Sequence, residues 1–302
     1  MTTDSSTNMG RLIELIRHRW EQLDWQTDLP TNGPVISETH YLDVQSLSLP
    51  ETDRWKLNRM LACFTCELFI HFERYLVEFL ERHRRQIDFI PKAAIDRFVA
   101  EEKVHTASFY RLLCKLRPDL YATHNHPREG MRFLVWSIGD EAAVSFAPVA
   151  SFFLLAWLFE EITIFLPIAL NEQQEQCSPL VSEVMKLHAK EEVSHVAIDE
   201  RILLNLKKRQ SYAKCVTDTI LSVPILAYAD TRAKQGWAKV VELLRTEIDL
   251  NQMQTERLLR RGPSKSDRMG ITSFANKIEQ SHFPLTSILA QVLRLELRRH
   301  TA

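Results

Sequence analysis

LHAKEEVSHVAID, residues 187–199, contains two histidines and two glutamates within eight positions of a helical pattern. Residues three or four apart lie on the same face of a helix, so Glu192 and His195 point in one direction. His188 precedes His195 by seven positions, close to two full turns, and therefore shares their stripe. The pattern fits either a charged, solvent-facing surface or one wall of a metal site.

A second copy of the motif occurs ninety residues earlier, in FVAEEKVHTASFY at 98–110. Both copies read Glu-Glu-x-x-His, so Glu102 and His105 share a helix face as Glu192 and His195 do. A single Glu-x-x-His often arises by chance on an exposed helix. Two copies, each on the second helix of a predicted hairpin, favour the metal site.

The helix before the first motif carries two candidate partner glutamates. Projection at about 100° per residue places Glu73 among apolar side chains and Glu67 in a polar sector. Glu73 is therefore favoured as the buried partner, and it precedes Glu102 by 29 positions, a separation that suits a hairpin.

The helix before the second motif contains the run FAPVASFFLLAWLFEEITIFLPIAL, residues 146–170, with Glu160 and Glu161 inside it. The run is long enough to cross a bilayer, but two central carboxylates would be costly in lipid. We predict a buried core helix. Both glutamates are candidate partners, and we favour Glu161, which precedes Glu192 by 31 positions.

Glutamate from one helix and Glu-x-x-His from the next, repeated twice, is the pattern of di-iron and di-manganese carboxylate bundles. Four buried carboxylates would repel one another and could not all stay ionised. Two divalent ions neutralise them, and an imidazole nitrogen completes the ligands of each ion.

Composition agrees with a helical protein. The 302 residues are 45% hydrophobic and 25% charged, and only 7 are glycine, which leaves few tight turns for a β fold. The net charge of -1 gives no support for binding nucleic acid or an anionic membrane. The amino-terminal sequence lacks the apolar core of a signal peptide, so we expect a cytoplasmic protein.

We predict an all-α fold, a long-helix bundle with extra N- and C-terminal helices. Residues 51–208 form its core, residues 1–50 an N-terminal arm and residues 209–302 additional C-terminal helices, in a single domain of 1–302. The predicted helices are approximately 9–23, 51–85, 91–116, 140–170, 180–208, 212–233, 236–259 and 272–299. A polar linker, RRGPSKSD, separates the last two.

The segments EEKVHT, FEEITIF and LHAKEEVSH together resemble the p-aminobenzoate N-oxygenase family of non-haem diiron enzymes, over roughly residues 57–204. The resemblance implies a ferritin-like core that oxidises an amine nitrogen with dioxygen. It also implies a third histidine ligand, at the position of His188. By resemblance the metal ligands are Glu73, Glu102, His105, Glu161, His188, Glu192 and His195.

The same resemblance implies two iron ions, for which manganese could substitute, with dioxygen as co-substrate and an external electron donor. The substrate would be a small aromatic or amino-acid-derived amine, free or tethered to a carrier protein, in secondary metabolism. The expected product is a hydroxylamine, with nitroso and nitro compounds as further steps. We expect no nucleic-acid or membrane partner, and a homodimer is compatible with the sequence.

Two other functions fit a carboxylate bundle. A diiron C–H hydroxylase or desaturase would use the same ligands, but the third histidine favours the N-oxygenase. An iron-storage protein is disfavoured because the chain is long for a storage subunit and its terminal helices would obstruct packing into a shell.

Three acidic residues close to the motifs have no role in the minimal pattern. Glu101 and Glu191 flank the ligands; the family often has Asp before the ligand Glu of its first motif, where this chain has Glu101. Asp199 lies one turn after His195, so it is either the acceptor of the free ring N–H of His195 or an exposed residue. The pair Cys63 and Cys66 is expected to pack as small apolar side chains.

Overall fold

The computed structural model describes residues 4–37, 47–122, 130–171, 177–260 and 265–281, together with 286, 289–291 and 293–294. Every regular element in these ranges is a helix, which confirms the all-α prediction. The α-helices in chain order are α1 (Asp4–Glu21), α2 (Glu51–His83), α3 (Lys92–Leu116), α4 (Pro118–Tyr121), α5 (Ile138–Phe146), α6 (Val149–Asn171), α7 (Pro179–Arg209), α8 (Tyr212–Glu247), α9 (Gln252–Leu259) and α10 (Lys265–Gln280).

Two helical hairpins form the centre of the molecule. Helix α2 packs along α3 after a short 3₁₀ turn, Arg84–Ile87, and α6 packs along α7. Helices α3 and α7, which carry the two Glu-Glu-x-x-His motifs, also contact each other. The motifs therefore meet inside the bundle, each backed by the first helix of its own hairpin.

Helix α6 is apolar on all sides because it is surrounded by other helices. It contacts α7, α8 and α10, and its window Val149–Leu166 is apolar enough to span a membrane by length and composition. However, 72% of that window is buried inside the protein. The prediction of a core helix is confirmed.

The segment predicted as one helix over 140–170 is two helices. Pro148 lacks the N–H that would continue α5, so the chain bends at Ala147–Pro148 and α6 begins at Val149. Helix α5 starts with a capping box, in which the Ser137 hydroxyl accepts from the Asp140 N–H and the Asp140 carboxylate accepts from the Ser137 N–H.

Conversely, the break that was predicted between the helices 212–233 and 236–259 lies further along the chain in the structure. Helix α8 runs without interruption to Glu247 and through Gly236, and α9 is a separate short helix. A Cβ added to Gly236 would lie 2.6 Å from Cδ2 of Leu134. This glycine therefore allows a close helix contact and does not end the helix.

The two chain ends pack on the central hairpins. Helix α1 lies on α3, and α10 covers α6. Part of the predicted arm, 38–46, lies outside the described residues. Helix α10 begins at Lys265, inside the stretch predicted to be a linker, and of the predicted helix 272–299 the segments 282–285 and 295–299 also lie outside them.

Candidate metal centre

Two groups of buried side chains lie at the centre of the bundle, and in each group the potential ligand atoms lie within 4.8 Å of one another. The first group is Glu73, His105, His188 and Glu192; the second is Glu102, Glu160, Glu192 and His195. Together they form what we call the cluster. Glu192 belongs to both groups, so the two potential metal positions are adjacent.

The second glutamate of each motif, Glu102 or Glu192, directs one oxygen to a histidine of the first group and its other oxygen to His195 of the second group. In Glu192, Oε1 lies 2.6 Å from His188 Nε2 and Oε2 lies 2.9 Å from His195 Nδ1. In Glu102, Oε1 lies 2.8 Å from His195 Nδ1 and Oε2 lies 3.7 Å from His105 Nδ1. Each of these carboxylates therefore faces histidines of both groups, and both would help to hold the metal ions.

Neighbouring side chains hold the ligand atoms in place. The Thr106 hydroxyl donates to Glu73 Oε2 over 3.1 Å. The Phe98 ring stacks on His195 with centroids 4.0 Å apart, and the Phe69 ring stacks on His188 at 5.2 Å. Aromatic packing thus restricts the imidazole rings while their nitrogens face the carboxylates.

The cluster is short of hydrogen bonds in a way that fits metal ions. Among the described residues, several of its buried atoms have no hydrogen-bond partner of acceptable geometry: Glu73 Oε1, both oxygens of Glu102 and Glu160, His105 Nδ1 and His188 Nε2. Buried polar atoms without partners are costly and rare in native proteins. Carboxylate oxygens and imidazole nitrogens suit iron or manganese, so the residues present fit two divalent ions.

Burial and neighbouring charges both shift the pKa values of the cluster side chains. Burial raises the pKa of Glu160, and the neighbouring Asp199 raises it further. Burial alone would lower the pKa of His105 and His195, but the adjacent carboxylates outweigh it and raise both values well above their usual range. In the metal-free protein these two rings therefore hold protons where a metal would bind.

The first glutamates of the two motifs, Glu101 and Glu191, bind the histidines from outside the cluster, and we call them the outer carboxylates. Glu191 Oε2 lies 2.8 Å from His105 Nε2, and Glu101 Oε2 lies 3.1 Å from His195 Nε2. Each carboxylate thus reaches across to the histidine on the opposite helix. A ring that donates from Nε2 keeps Nδ1 free for a metal.

Asp199 does not have either of the roles that the sequence offered for it. Its side chain is fully buried beside Glu160 and is not exposed, and the outer nitrogen of His195 is already occupied by Glu101. The signal that could have identified Glu101 and Glu191 was their repetition, since each precedes a predicted ligand at the same motif position.

The structure places Glu160, and not the favoured Glu161, in the cluster, and the identity of the metal ligand stays a prediction. Glu160 lies in the cluster, whereas Glu161 accepts from Trp157 Nε1 at 3.3 Å and pairs with Lys277 on α10. Neighbouring residues on a helix point about 100° apart. Because α6 is apolar on every side, its sequence did not show which direction faces the cluster.

Glu73 and Glu67 are both buried, but only Glu73 lies in the cluster. The expectation that Glu73 is the buried member of this pair and Glu67 is not is wrong for Glu67. Its carboxylate accepts from Tyr121 Oη at 2.8 Å and from three consecutive backbone N–H groups, at 132–134, over 2.8 to 2.9 Å. Glu67 therefore fixes the chain that follows α4.

The Cys-x-x-Cys pair is part of the apolar core. Cys63 and Cys66 are both fully buried free thiols, and burial raises the pKa of each. A buried thiol with a raised pKa is a poor nucleophile and a poor redox group. This confirms their predicted packing role.

A crevice between α2 and α6, too narrow for a water molecule, borders the cluster. Beside the cluster glutamates and His188 it is lined by Phe72, Leu76, Phe159 and Thr163. The rings of Phe72 and Phe159, both partly exposed, stack with centroids 3.7 Å apart. Among the described residues that line this crevice there is no lysine or arginine.

Comparison with known proteins identifies one family. The model described as P-aminobenzoate N-oxygenase AurF matches residues 16–266, which is most of the chain. No curated protein and no solved structure matches the chain.

Proposed function

The chain belongs to the p-aminobenzoate N-oxygenase AurF family of diiron oxygenases, and from this premise we propose that it oxidises the nitrogen of a small amine with dioxygen. The observation that supports the proposal is the pair of buried ligand groups that share Glu192. The proposed ligands are Glu73, Glu102, His105, Glu160, His188, Glu192 and His195.

The reaction balances with an external reductant. An amine, dioxygen, two electrons and two protons give a hydroxylamine and water, so one oxygen atom enters an N–H bond. Two ferrous ions, for which manganese is the proposed substitute, would supply the redox chemistry with dioxygen. We propose an electron donor of the flavin or ferredoxin class, and repeated oxidation toward nitroso and nitro products.

The protein's own contribution is to position the amine and to exclude water. We propose that the apolar body of the amine lies beside Phe72 and Phe159, which border the cluster, with its nitrogen directed to the metal positions. We propose a free arylamine first, and a carrier-tethered amine second, used in secondary metabolism in the cytoplasm.

Metal analysis and turnover test the proposal together. Protein loaded anaerobically with Fe²⁺ should hold two iron ions per chain and, with a reductant and ¹⁸O₂, place one labelled oxygen on the nitrogen of an arylamine. Labelled oxygen on carbon would instead show a C–H hydroxylase. Iron-loaded protein that leaves a broad panel of amines unchanged would refute the proposed reaction.

A further inference from the structure

The two outer carboxylates share one cation from the N-terminal helix. Nη1 of Arg19 lies 2.7 Å from Glu191 Oε1, and Nη2 lies 3.6 Å from Glu101 Oε1. The Arg19 side chain is 43% exposed, whereas both carboxylates are at most 3% exposed. One guanidinium therefore extends from the solvent to both carboxylates behind the cluster.

Arginine is suited to this position. Its guanidinium spreads one charge over two terminal nitrogens, each of which forms an ion pair with one of the carboxylates, and its partial exposure avoids much of the cost of burying a charge. Glu101 and Glu191 are buried and close to the same cation, so they would repel each other without it. A lysine, with a compact ammonium, could not span both carboxylates in the same way.

The two carboxylates differ in their remaining partners. Glu101 Oε1 also accepts from Nε of Arg97 over 3.0 Å. Glu191 Oε2 instead accepts from Nε1 of Trp20 over 3.1 Å. Removal of Arg19 should therefore leave Glu101 with a second guanidinium, that of Arg97, and Glu191 with only His105 and Trp20.

Trp20 is a second fixed contact between α1 and the site. Its ring is 1% exposed and its centroid lies 5.3 Å from that of His105. Nε1 of Trp25 donates to the Trp20 carbonyl oxygen over 2.7 Å, which ties the end of α1 to the chain that follows. The side chain and the carbonyl group of Trp20 therefore both have fixed partners, which hold the end of α1 where Arg19 lies.

These contacts form two branches that start at one residue. Arg19 contacts Glu191, which faces His105, and Arg19 contacts Glu101, which faces His195. Outer partners of this kind set the tautomer and the orientation of a ligand histidine and commonly change metal affinity by about 10- to 100-fold.

We propose that Arg19 and Trp20 of α1 complete the metal centre from outside. Arg19 is a positioning residue that holds the two outer carboxylates as a pair and so fixes a histidine at each metal position. Trp20 supports the His105 side alone. The inference rests on the proposed function, because it requires metal ions in the cluster.

The test compares Arg19→Ala and Arg19→Lys with Arg17→Ala, a matched control two residues away on the exposed side of α1. Each full-length protein is titrated with Co²⁺ alone, by calorimetry and by visible absorption, which reports the geometry of the bound metal. Arg17→Ala should match the wild type. Arg19→Ala should weaken one metal-binding step by roughly 10-fold or more and the other by less, because Glu101 keeps Arg97, with Arg19→Lys in between.

Trp20→Phe separates the two branches. It removes the N–H that reaches Glu191 and keeps an aromatic ring beside His105, so one of the two binding steps should weaken and the other should not change. Melting of each metal-free variant shows whether a loss of metal affinity follows simply from a loss of folding.

The outcomes distinguish this inference from the proposed function. If the wild-type protein binds no metal, this result would refute both the proposed function and the inference. Wild-type protein that binds two metals, with Arg19→Ala unchanged at both steps, would overturn the inference alone. Metal-free Arg19→Ala that melts well below Arg17→Ala, with an equal loss of affinity in Arg19→Lys, would assign Arg19 a purely structural role.

Discussion

Glu160 and Glu161 are neighbours in sequence with different surroundings, and this difference can be measured. Glu160→Gln removes a charged oxygen from the cluster, so we expect about half of the bound iron to be lost and activity to fall at least 100-fold, as commonly follows the loss of a group that acts in the reaction. Glu161→Gln should keep the iron, since Glu161 pairs with Lys277. Iron content and turnover of the two variants provide the check, and the reverse result would restore Glu161 as the ligand.

His188 tests the family assignment at a single residue. His188→Ala removes a nitrogen that lies 2.6 Å from Glu192 and 3.1 Å from Glu73, so we expect weaker iron binding and at least a 10-fold loss of turnover. His18→Ala, on the exposed side of α1, is the control. Full iron content and full activity in His188→Ala would show that His188 is not a ligand.

The raised pKa values of His105 and His195 predict a pH dependence of metal binding. A proton on a ring is favoured in the folded, metal-free protein, so its stabilising effect is complete below the unfolded pKa near 6.5 and is lost as the pH rises through the folded value. A metal must displace these protons, so its affinity should increase with pH.

This pH dependence can be followed by the protons released when Zn²⁺ is added in weak buffer near pH 7. We expect clear release from the wild type and less from His195→Ala, which has one such ring fewer. An equal release from both proteins, or an affinity that falls as the pH rises, would contradict the assignment.

The sequence predicted most of the cluster because a helix repeats its faces regularly. Spacings of three and four placed Glu102, His105, Glu192 and His195 without any knowledge of their partners. The sequence favoured Glu161, but the structure places Glu160 in the cluster. Periodicity could not separate the two because the helix is buried on every side and has no polar face that marks its orientation. The resemblance added His188, which spacing alone left open between a ligand and an exposed residue.

At the scale of elements, Glu67 joins α2 to the chain after α4. Its two oxygens accept from four donors, so Glu67→Gln places an amide NH₂ against backbone N–H groups although the side chain keeps its size. We expect a loss of about 2 to 3 kcal/mol in the free energy of unfolding, since buried donors lose their acceptor. Denaturant unfolding measures it.

Glu200→Gln, at an exposed position on α7, is the control for this change. It should alter stability by less than about 0.5 kcal/mol. If Glu67→Gln is equally mild, the carboxylate does not hold the chain as described. The iron content should be retained in both variants because Glu67 lies outside the cluster.

Helix boundaries followed the sequence where the apolar stripe was clear. The long helices α2, α3 and α7 match their predicted ranges within a few residues. The errors came from proline and glycine. Pro148 separates two helices where the apolar run predicted one, while Gly236 lies inside a helix because it allows contact with Leu134.

For the whole molecule, the cluster makes stability depend on metal. Without ions, four buried glutamates repel one another at the junction of the two central hairpins. A ligand at 100 times its Kd stabilises the folded state by about 2.7 kcal/mol per site. Anaerobic loading with Fe²⁺ should therefore raise the Tm by roughly 5 °C or more, and a chelator should reverse the effect.

Glu160→Gln supplies the control for this thermal shift. Metal-free Glu160→Gln should melt at or above the wild-type temperature because a neutral amide avoids the unfavourable burial of the Glu160 carboxylate, but it should gain less from iron. A wild-type Tm that does not respond to iron, measured by calorimetry, would argue against a metal at the centre of the fold.

The crossed contacts of Glu101 with His195 and of Glu191 with His105 have a consequence for how the protein matures. Each hairpin orients the histidine of the other, so neither hairpin alone presents its ring in the final tautomer. We therefore expect the two hairpins to assemble before the metal ions bind. A nascent chain that contains only its first hairpin should not bind iron, and the ions should bind after the second hairpin has packed against the first. The two outer carboxylates would therefore determine the order of hairpin assembly and metal binding during biosynthesis.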